Sequence, residues 1–150
     1  MWNDRHSIAL SKFCVYLFMA LLVLAAATAP WLAGWYFKVG RWGLTAAHKP
    51  CILATVYAAA IPAALLLWEL RRLLANIGEG RIFIPENTRC LRRASWCCIA
   101  AGLVSLASAL YYLPFLAVSA AAAFVALIIR VVKNVFEQAI LLKDEVDYTI

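Results

Sequence analysis

Between Arg93 and Arg130 the chain carries 36 consecutive residues without a charged side chain, and near the middle of that run stands Tyr111-Tyr112-Leu113-Pro114. A single helix of that length would be about 54 Å long at ~1.5 Å per residue, against a hydrocarbon core of ~30 Å. The run therefore predicts two membrane-crossing helices joined by a very short turn. Phe13 to Phe37 and Pro50 to Trp68 are likewise free of charge. The prediction is an all-α membrane protein: a bundle of four transmembrane helices, built as two helical hairpins with short loops. The spans are expected near 8–37, 50–75, 94–112 and 114–137, forming one transmembrane domain over 1–150. A hydrophobic share of 66% fits this reading and excludes an ordinary soluble domain, where the share is roughly 45–50%. The four spans leave no room for a separate catalytic or DNA-binding head.

The net charge of +6 suggests nucleic-acid binding until its distribution is examined. With both termini placed in the cytosol, Arg5, Lys12, Arg71, Arg72, Arg81, Arg89, Arg92, Arg93, Arg130, Lys133 and Lys143 are inside, and Lys38, Arg41 and Lys49 are outside. That is 11 against 3, the bias that orients multi-pass proteins. Topology accounts for the charge, and no direct nucleic-acid binding is expected. Ala27-Thr28-Ala29 mimics a signal-peptide cleavage site, but the first apolar stretch is 25 residues, well beyond the ~7–15 of a signal h-region. A retained first span is expected.

The first helix should start near Ser7, a candidate N-cap, and run to about Tyr36, with Trp31, Trp35 and Tyr36 in an interfacial belt and Pro30 as a kink site. Residues Lys38 to Lys49 form a short outer loop with Gly40, Trp42, Gly43 and His48. Without a nearby His, Asp or Glu, His48 reads as solvated rather than as a ligand. Pro50 opens the second helix, which continues past Trp68 as an amphipathic extension carrying Leu70, Leu73, Leu74 and Ile77 until Gly78 and Gly80 end it. Pro85-Glu86-Asn87 starts the third helix, with Asn87, Leu91 and Ser95 on one face and Trp96 at the membrane surface. The tyrosines of the second hairpin turn are expected at the outer interface.

Small residues recur every fourth position: Ala59 with Ala63, Ala101 with Ser105 and Ala109, Ala117 with Ala121, Ala122 with Ala126. Such faces allow close helix contact, within one chain or in a homo-oligomer. Residues 72–79 also echo 130–137 at an offset of 58, pairing Arg72 with Arg130, Asn76 with Asn134 and Glu79 with Glu137. Both segments lie where an even-numbered span leaves the membrane, as tandem hairpins would place them.

No charged residue interrupts the apolar stretches. Glu69 and Arg130 come closest, each at the boundary where its side chain is expected to reach water. No HExxH, paired CxxC, GxSxG or Walker-type loop occurs, so no catalytic residue, cofactor or metal ligand is predicted. The five cysteines (Cys14, Cys51, Cys90, Cys97, Cys98) have no disulfide spacing. Adjacent Cys97 and Cys98 point about 100° apart on a helix, so they read as small apolar residues.

The stretch Leu74-x-Asn76-Ile77-x-x-Gly80-x-Ile82-Phe83-x-x-x-Asn87-x-x-x-Leu91-Arg92 and the ending Lys143-Asp144-Glu145-Val146-Asp147-Tyr148-Thr149-Ile150 resemble the bacterial four-span membrane family DUF2975 over the full length. Ser95-Trp96, where that family commonly has glycine, and Tyr148, where it has leucine, depart from the pattern. The resemblance implies a bacterial cytoplasmic (inner) membrane location and, as partner, a small helix-turn-helix DNA-binding regulator. It leads to a non-enzymatic, regulatory protein whose cytosolic face binds a soluble partner. Arg71, Arg72, Arg81, Asn87, Arg89, Arg92, Arg93, Asp144, Glu145 and Asp147 are the candidate partner-binding residues. Antiparallel packing of the last two helices should bring Arg89, Arg92 and Arg93 against Asp144, Glu145 and Asp147. The rival is a small membrane enzyme, channel or transporter with a site among the helices, which a continuous polar cavity would favour.

Overall fold

A computed structural model of the chain describes residues 4–39 and 48–148. They form four helices: α1 (Asp4–Val39), α2 (Lys49–Gly78), α3 (Pro85–Ser108) and α4 (Phe115–Tyr148). All four are long and apolar enough to cross a bilayer, which makes this an all-helical, multi-pass membrane fold. Helices α1, α2 and α4 have 36, 30 and 34 residues, so each extends well beyond the ~20 residues that span hydrocarbon. The surplus of α2 and α4, the first turns of α3 and the start of α1 gather at one end, called here the polar end. Arg41, Trp42 and Gly43 of the expected outer loop lie outside the described residues.

Sequence explains the helix boundaries. Pro50 stands in the first turn of α2, and Pro85 opens α3 behind an extended Ile84 (φ −126°, ψ 146°), the conformation a following proline favours. α2 stops in a Schellman motif. Gly80 takes φ +77°, its N–H bonds Ile77 O at 3.0 Å, and Arg81 N–H reaches back to Asn76 O at 3.0 Å. α1 begins at Asp4, so Ser7 is not its N-cap but already within the first turn, where its carbonyl accepts Ser11 Oγ. Helix α3 ends at Ser108 rather than near 112, because the chain uses 109–114 for successive turns before α4.

Each helix packs on the next in sequence: α1 on α2, α2 on α3, α3 on α4. The outer members α1 and α4 share no extended interface, so the bundle is open along one side. α3 is the least apolar span and also the most buried. Its inward face carries Asn87, Ala94, Ser95, Cys98, Gly102, Ser105 and Ser108. In lipid this order makes sense, since apolar side chains gain nothing by hiding from hydrocarbon, and small or hydroxylated ones permit close approach. Gly102 lies where an added Cβ would be 3.4 Å from the Ala122 Cβ, and Ser95 Oγ donates to Ala126 O at 3.3 Å. The Ala122 and Ala126 face therefore packs on α3. Ala117 and Ala121, spaced in the same way, are exposed. At the polar end a conventional apolar core forms from Leu73, Cys90 and Leu91, covered by Leu70, Ile77, Ile129 and Phe136.

Candidate functional site

The polar end holds most of the chain's buried polar chemistry, starting with two asparagines. Asn87 is fully buried, which requires every polar atom of its amide to find a partner. Its Nδ2 donates to Arg81 O at 2.9 Å and Ile82 O at 2.7 Å, and its Oδ1 accepts from Asn76 Nδ2 at 2.8 Å. Both carbonyls belong to the connection between α2 and α3, which cannot bond itself as a helix does. Asn87 thus pins this connection from the first turn of α3. It was expected on the partner-binding surface; the structure places it in the interior, because its donors are consumed by these backbone carbonyls. Phe83 packs its ring 5.9 Å from that of Phe136, tying the same connection to α4. The resemblance stretch from Leu74 to Arg92 is a folding unit: two helix ends, a Schellman stop, a left-handed glycine and the asparagine that braces them.

Around this brace lie the charged groups. Glu69 is buried, with Oε1 accepting from Arg93 Nη1 at 3.2 Å and Oε2 left without a hydrogen bond. It does not reach water as expected. On α2, which runs toward the polar end, the Cα–Cβ bond tilts back toward the helix N-terminus and so carries a short side chain deeper. Arg93, on the antiparallel α3, is tilted the opposite way and meets the carboxylate while its own side chain stays exposed. Cys90 faces the same carboxylate from the preceding turn of α3. Arg92 and Lys133 share Glu137, at 3.5 and 3.1 Å. Arg81 pairs with Glu79 two residues away. Arg71 lies over the rings of Tyr16 and Trp68, 5.7 and 5.2 Å from their centroids, and donates from Nε to Tyr16 Oη at 3.1 Å. Arg72 and Arg89 are exposed.

The expected pairing of Arg92 and Arg93 with the C-terminal acids is replaced by Glu137 and Glu69. The reason is geometric. α4 stays helical to Tyr148, so Asp144 lies about 10 Å further along its axis than Glu137. Asp144 and Glu145 are exposed, and the Asp147 side chain lies outside the described residues. Leu141, Leu142 and Val146 on the same projecting segment are also exposed, at 63%, 63% and 60%.

The opposite end is fastened by hydroxyls. Tyr36 and Tyr112 join oxygen to oxygen at 3.0 Å, linking α1 to the α3–α4 turn. Thr55 Oγ1 meets Ser108 Oγ at 2.7 Å and the Tyr111 hydroxyl, which also donates to Cys51 O at 3.1 Å. The two tyrosines, expected as interface anchors, thus turn their hydroxyls back onto α1 and α2. Beneath them an apolar cleft of about 430 Å³ runs between α1, α2 and α4, lined by residues such as Ala29, Leu32, Leu53, Val56 and Phe115. Among the described residues no group of His, Cys, Asp or Glu is arranged to hold a metal ion.

Fold and site together define a four-span, all-helical membrane protein with a charged, well-packed polar end. The model of the DUF2975 family, described as a protein of unknown function, matches residues 13–150, and the chain belongs to that family. No curated protein and no solved structure matches it.

Proposed function

We propose that this is a non-enzymatic regulatory protein of a bacterial cytoplasmic membrane, with both termini and the polar end in the cytosol, where it docks a small helix-turn-helix DNA-binding regulator. The observation that carries the docking is the end of α4. Leu141 lies eleven residues, about 16 Å, beyond Arg130, past the apolar part of the span. There Leu141, Leu142 and Val146 are exposed on a continuous helix and fall on one side of it with Glu145 between them, while Lys143 and Asp144 lie on the other. A helix face carrying three exposed apolar side chains and one acid suits a partner groove that receives an amphipathic helix. The sidedness rests on the basic bias of 11 residues to 3. Among the described residues, the cleft lining is apolar apart from the joined hydroxyls of Tyr36 and Tyr112 and carries no charged group, which fits a non-transport role.

The test is recovery of the intact protein in detergent from its native cell, compared with a Leu142→Glu/Val146→Glu variant. A small helix-turn-helix protein recovered with the parent and lost with the variant supports the proposal. Its absence from the parent sample overturns it. Sidedness is checked separately, with single cysteines in a chain lacking its own. An impermeant reagent applied from outside should label position 43 and spare position 80, and the reverse pattern would refute the orientation.

A further inference from the structure

At the polar end of the α3–α4 seam, Arg92, Ser95, Trp96, Arg130, Lys133 and Asn134 line a groove of about 390 Å³. Its chemistry is one-sided. Three cations converge on it, and among the described residues the carboxylate that pairs with them, Glu137, is shared by Arg92 and Lys133. Two positive charges in the group are therefore uncompensated. Arg130 is held with its guanidinium carbon 5.6 Å from the centroid of the Trp96 ring. This cation–π contact holds the guanidinium beside the ring and leaves N–H groups to donate, as a phosphate requires. Trp96 is itself 58% exposed, at the level where α3 passes from charged to apolar residues. Leu127, one turn deeper on α4 than Arg130, is exposed too, so an apolar surface continues from the groove into the bilayer.

We infer that this groove is a binding site for the phosphate of an anionic phospholipid, with Arg130 and Lys133 as its principal donors, Arg92 beside them and Trp96 as the wall that orients Arg130. A soluble phosphate would meet the same donors, but only a lipid also uses the exposed apolar strip below. The inference does not depend on a soluble partner binding elsewhere on the polar end. The related cluster on α2 differs in one respect. Arg71 is already clamped by Tyr16 and Trp68, with Nε occupied, so it presents fewer free donors.

The site is tested with the full chain in neutral detergent micelles, titrated with phosphatidylglycerol, with phosphatidylcholine, and with glycerol 3-phosphate, while native mass spectrometry counts bound lipid and thermal unfolding is followed in parallel. Phosphatidylglycerol should be retained and should raise the unfolding midpoint, and phosphatidylcholine should do neither. Arg130→Gln/Lys133→Gln should weaken retention about tenfold or more, since each basic group near a membrane surface contributes on the order of a factor of five. Arg72→Gln/Arg89→Gln, which removes the same charge from the same end, should change it less than about twofold. A near-normal unfolding midpoint of the first variant in lipid-free micelles separates a lost site from a lost fold. Equal retention of the two lipids, or equal losses in the two variants, overturns the site. Full displacement of phosphatidylglycerol by glycerol 3-phosphate at comparable concentration overturns the assignment to lipid in favour of a soluble phosphate.

Discussion

Replacing Asn87 should cost more stability than any other single truncation of a polar side chain at the polar end. The side chain makes three hydrogen bonds, to Arg81 O, Ile82 O and Asn76 Nδ2, from a site with no solvent exposure. A buried hydrogen bond is worth about 1 kcal/mol net, and a partner left stranded costs ~1–3 kcal/mol. Because Arg81 and Ile82 are exposed residues, water can reach part of what Asn87→Ala leaves behind. The lower end of that range then applies, and three lost bonds sum to roughly 2–4 kcal/mol, between one and three decades in the unfolding equilibrium. The assay is reversible unfolding of the full chain in mixed micelles, followed by helical circular dichroism. Two further variants make the reasoning specific. Asn76→Ala removes one of the same bonds, so the double variant should cost ~1 kcal/mol less than the sum of the single ones. Asn87→Asp keeps the acceptor for Asn76 but sets a carboxylate against two carbonyl oxygens. Its ionised form is disfavoured in the fold, so its folded pKa is raised above the unfolded value of ~3.9. Stability is then greatest below the unfolded pKa and falls as pH rises through the folded one. A loss below ~1 kcal/mol for Asn87→Ala, or a pH-independent Asn87→Asp variant, would refute the bracing role.

Arg93→Ala should destabilise by about 1–3 kcal/mol and Arg92→Ala by under ~1 kcal/mol, because Arg93 answers a buried carboxylate and Arg92 one that is 40% exposed; equal losses in denaturant titrations would contradict this. Gly102→Ile should cost ~1–3 kcal/mol, since its side chain would have to displace the Ala122 Cβ and Ser119 O, 3.4 and 3.7 Å from the position of a Cβ; an unchanged unfolding midpoint would mean α3 and α4 are less closely apposed. Pro114→Leu should cost under ~1 kcal/mol, as the residue is exposed in the turn before α4 and proline there forfeits no helical bond. Tyr111→Phe should cost about 1 kcal/mol, since it removes two interhelical hydrogen bonds, to Thr55 and to Cys51 O, each averaging ~0.6 kcal/mol in a membrane; a much larger loss would show that the turn depends on them.

Membrane residence, four helices and their boundaries at Pro50, Gly78 and Pro85 were legible because each rests on a local cause: charge-free length, a proline that cannot sit deeper in a helix, a glycine able to take positive φ. The Asn87, Leu91 and Ser95 face was legible for the same reason, and all three are buried. What Asn87 does there was not. Spacing places an asparagine on a face but does not say whether that face meets water or a backbone loop. The turn tyrosines were legible only in part. Their position at the bundle end was readable, but their hydroxyl partners Tyr36, Thr55 and Cys51 lie 56 to 76 residues away, and nothing local announces them.

The ion pairs expose the deeper limit. Sequence placed Arg92 and Arg93 at the mouth of α3 and then matched them with the nearest concentration of acids, the C-terminal tail. Reach, rather than local density of charge, decides such matches. Each residue along a helix adds about 1.5 Å, so moving a carboxylate from 137 to 144 puts it beyond the guanidinium that position 137 satisfies. Direction matters as much. On α2 and α4, which run outward at the polar end, side chains lean back toward the membrane, whereas on α3 they lean out toward water. Glu69 is thereby drawn in and Arg93 drawn out to meet at 3.2 Å, and Arg130 is drawn back over Trp96. Helix α4 carries Leu141, Leu142 and Val146 beyond the level of these pairs, where they are exposed. That segment and the α3–α4 groove are therefore two separate surfaces, one offering exposed apolar side chains and the other converging cations.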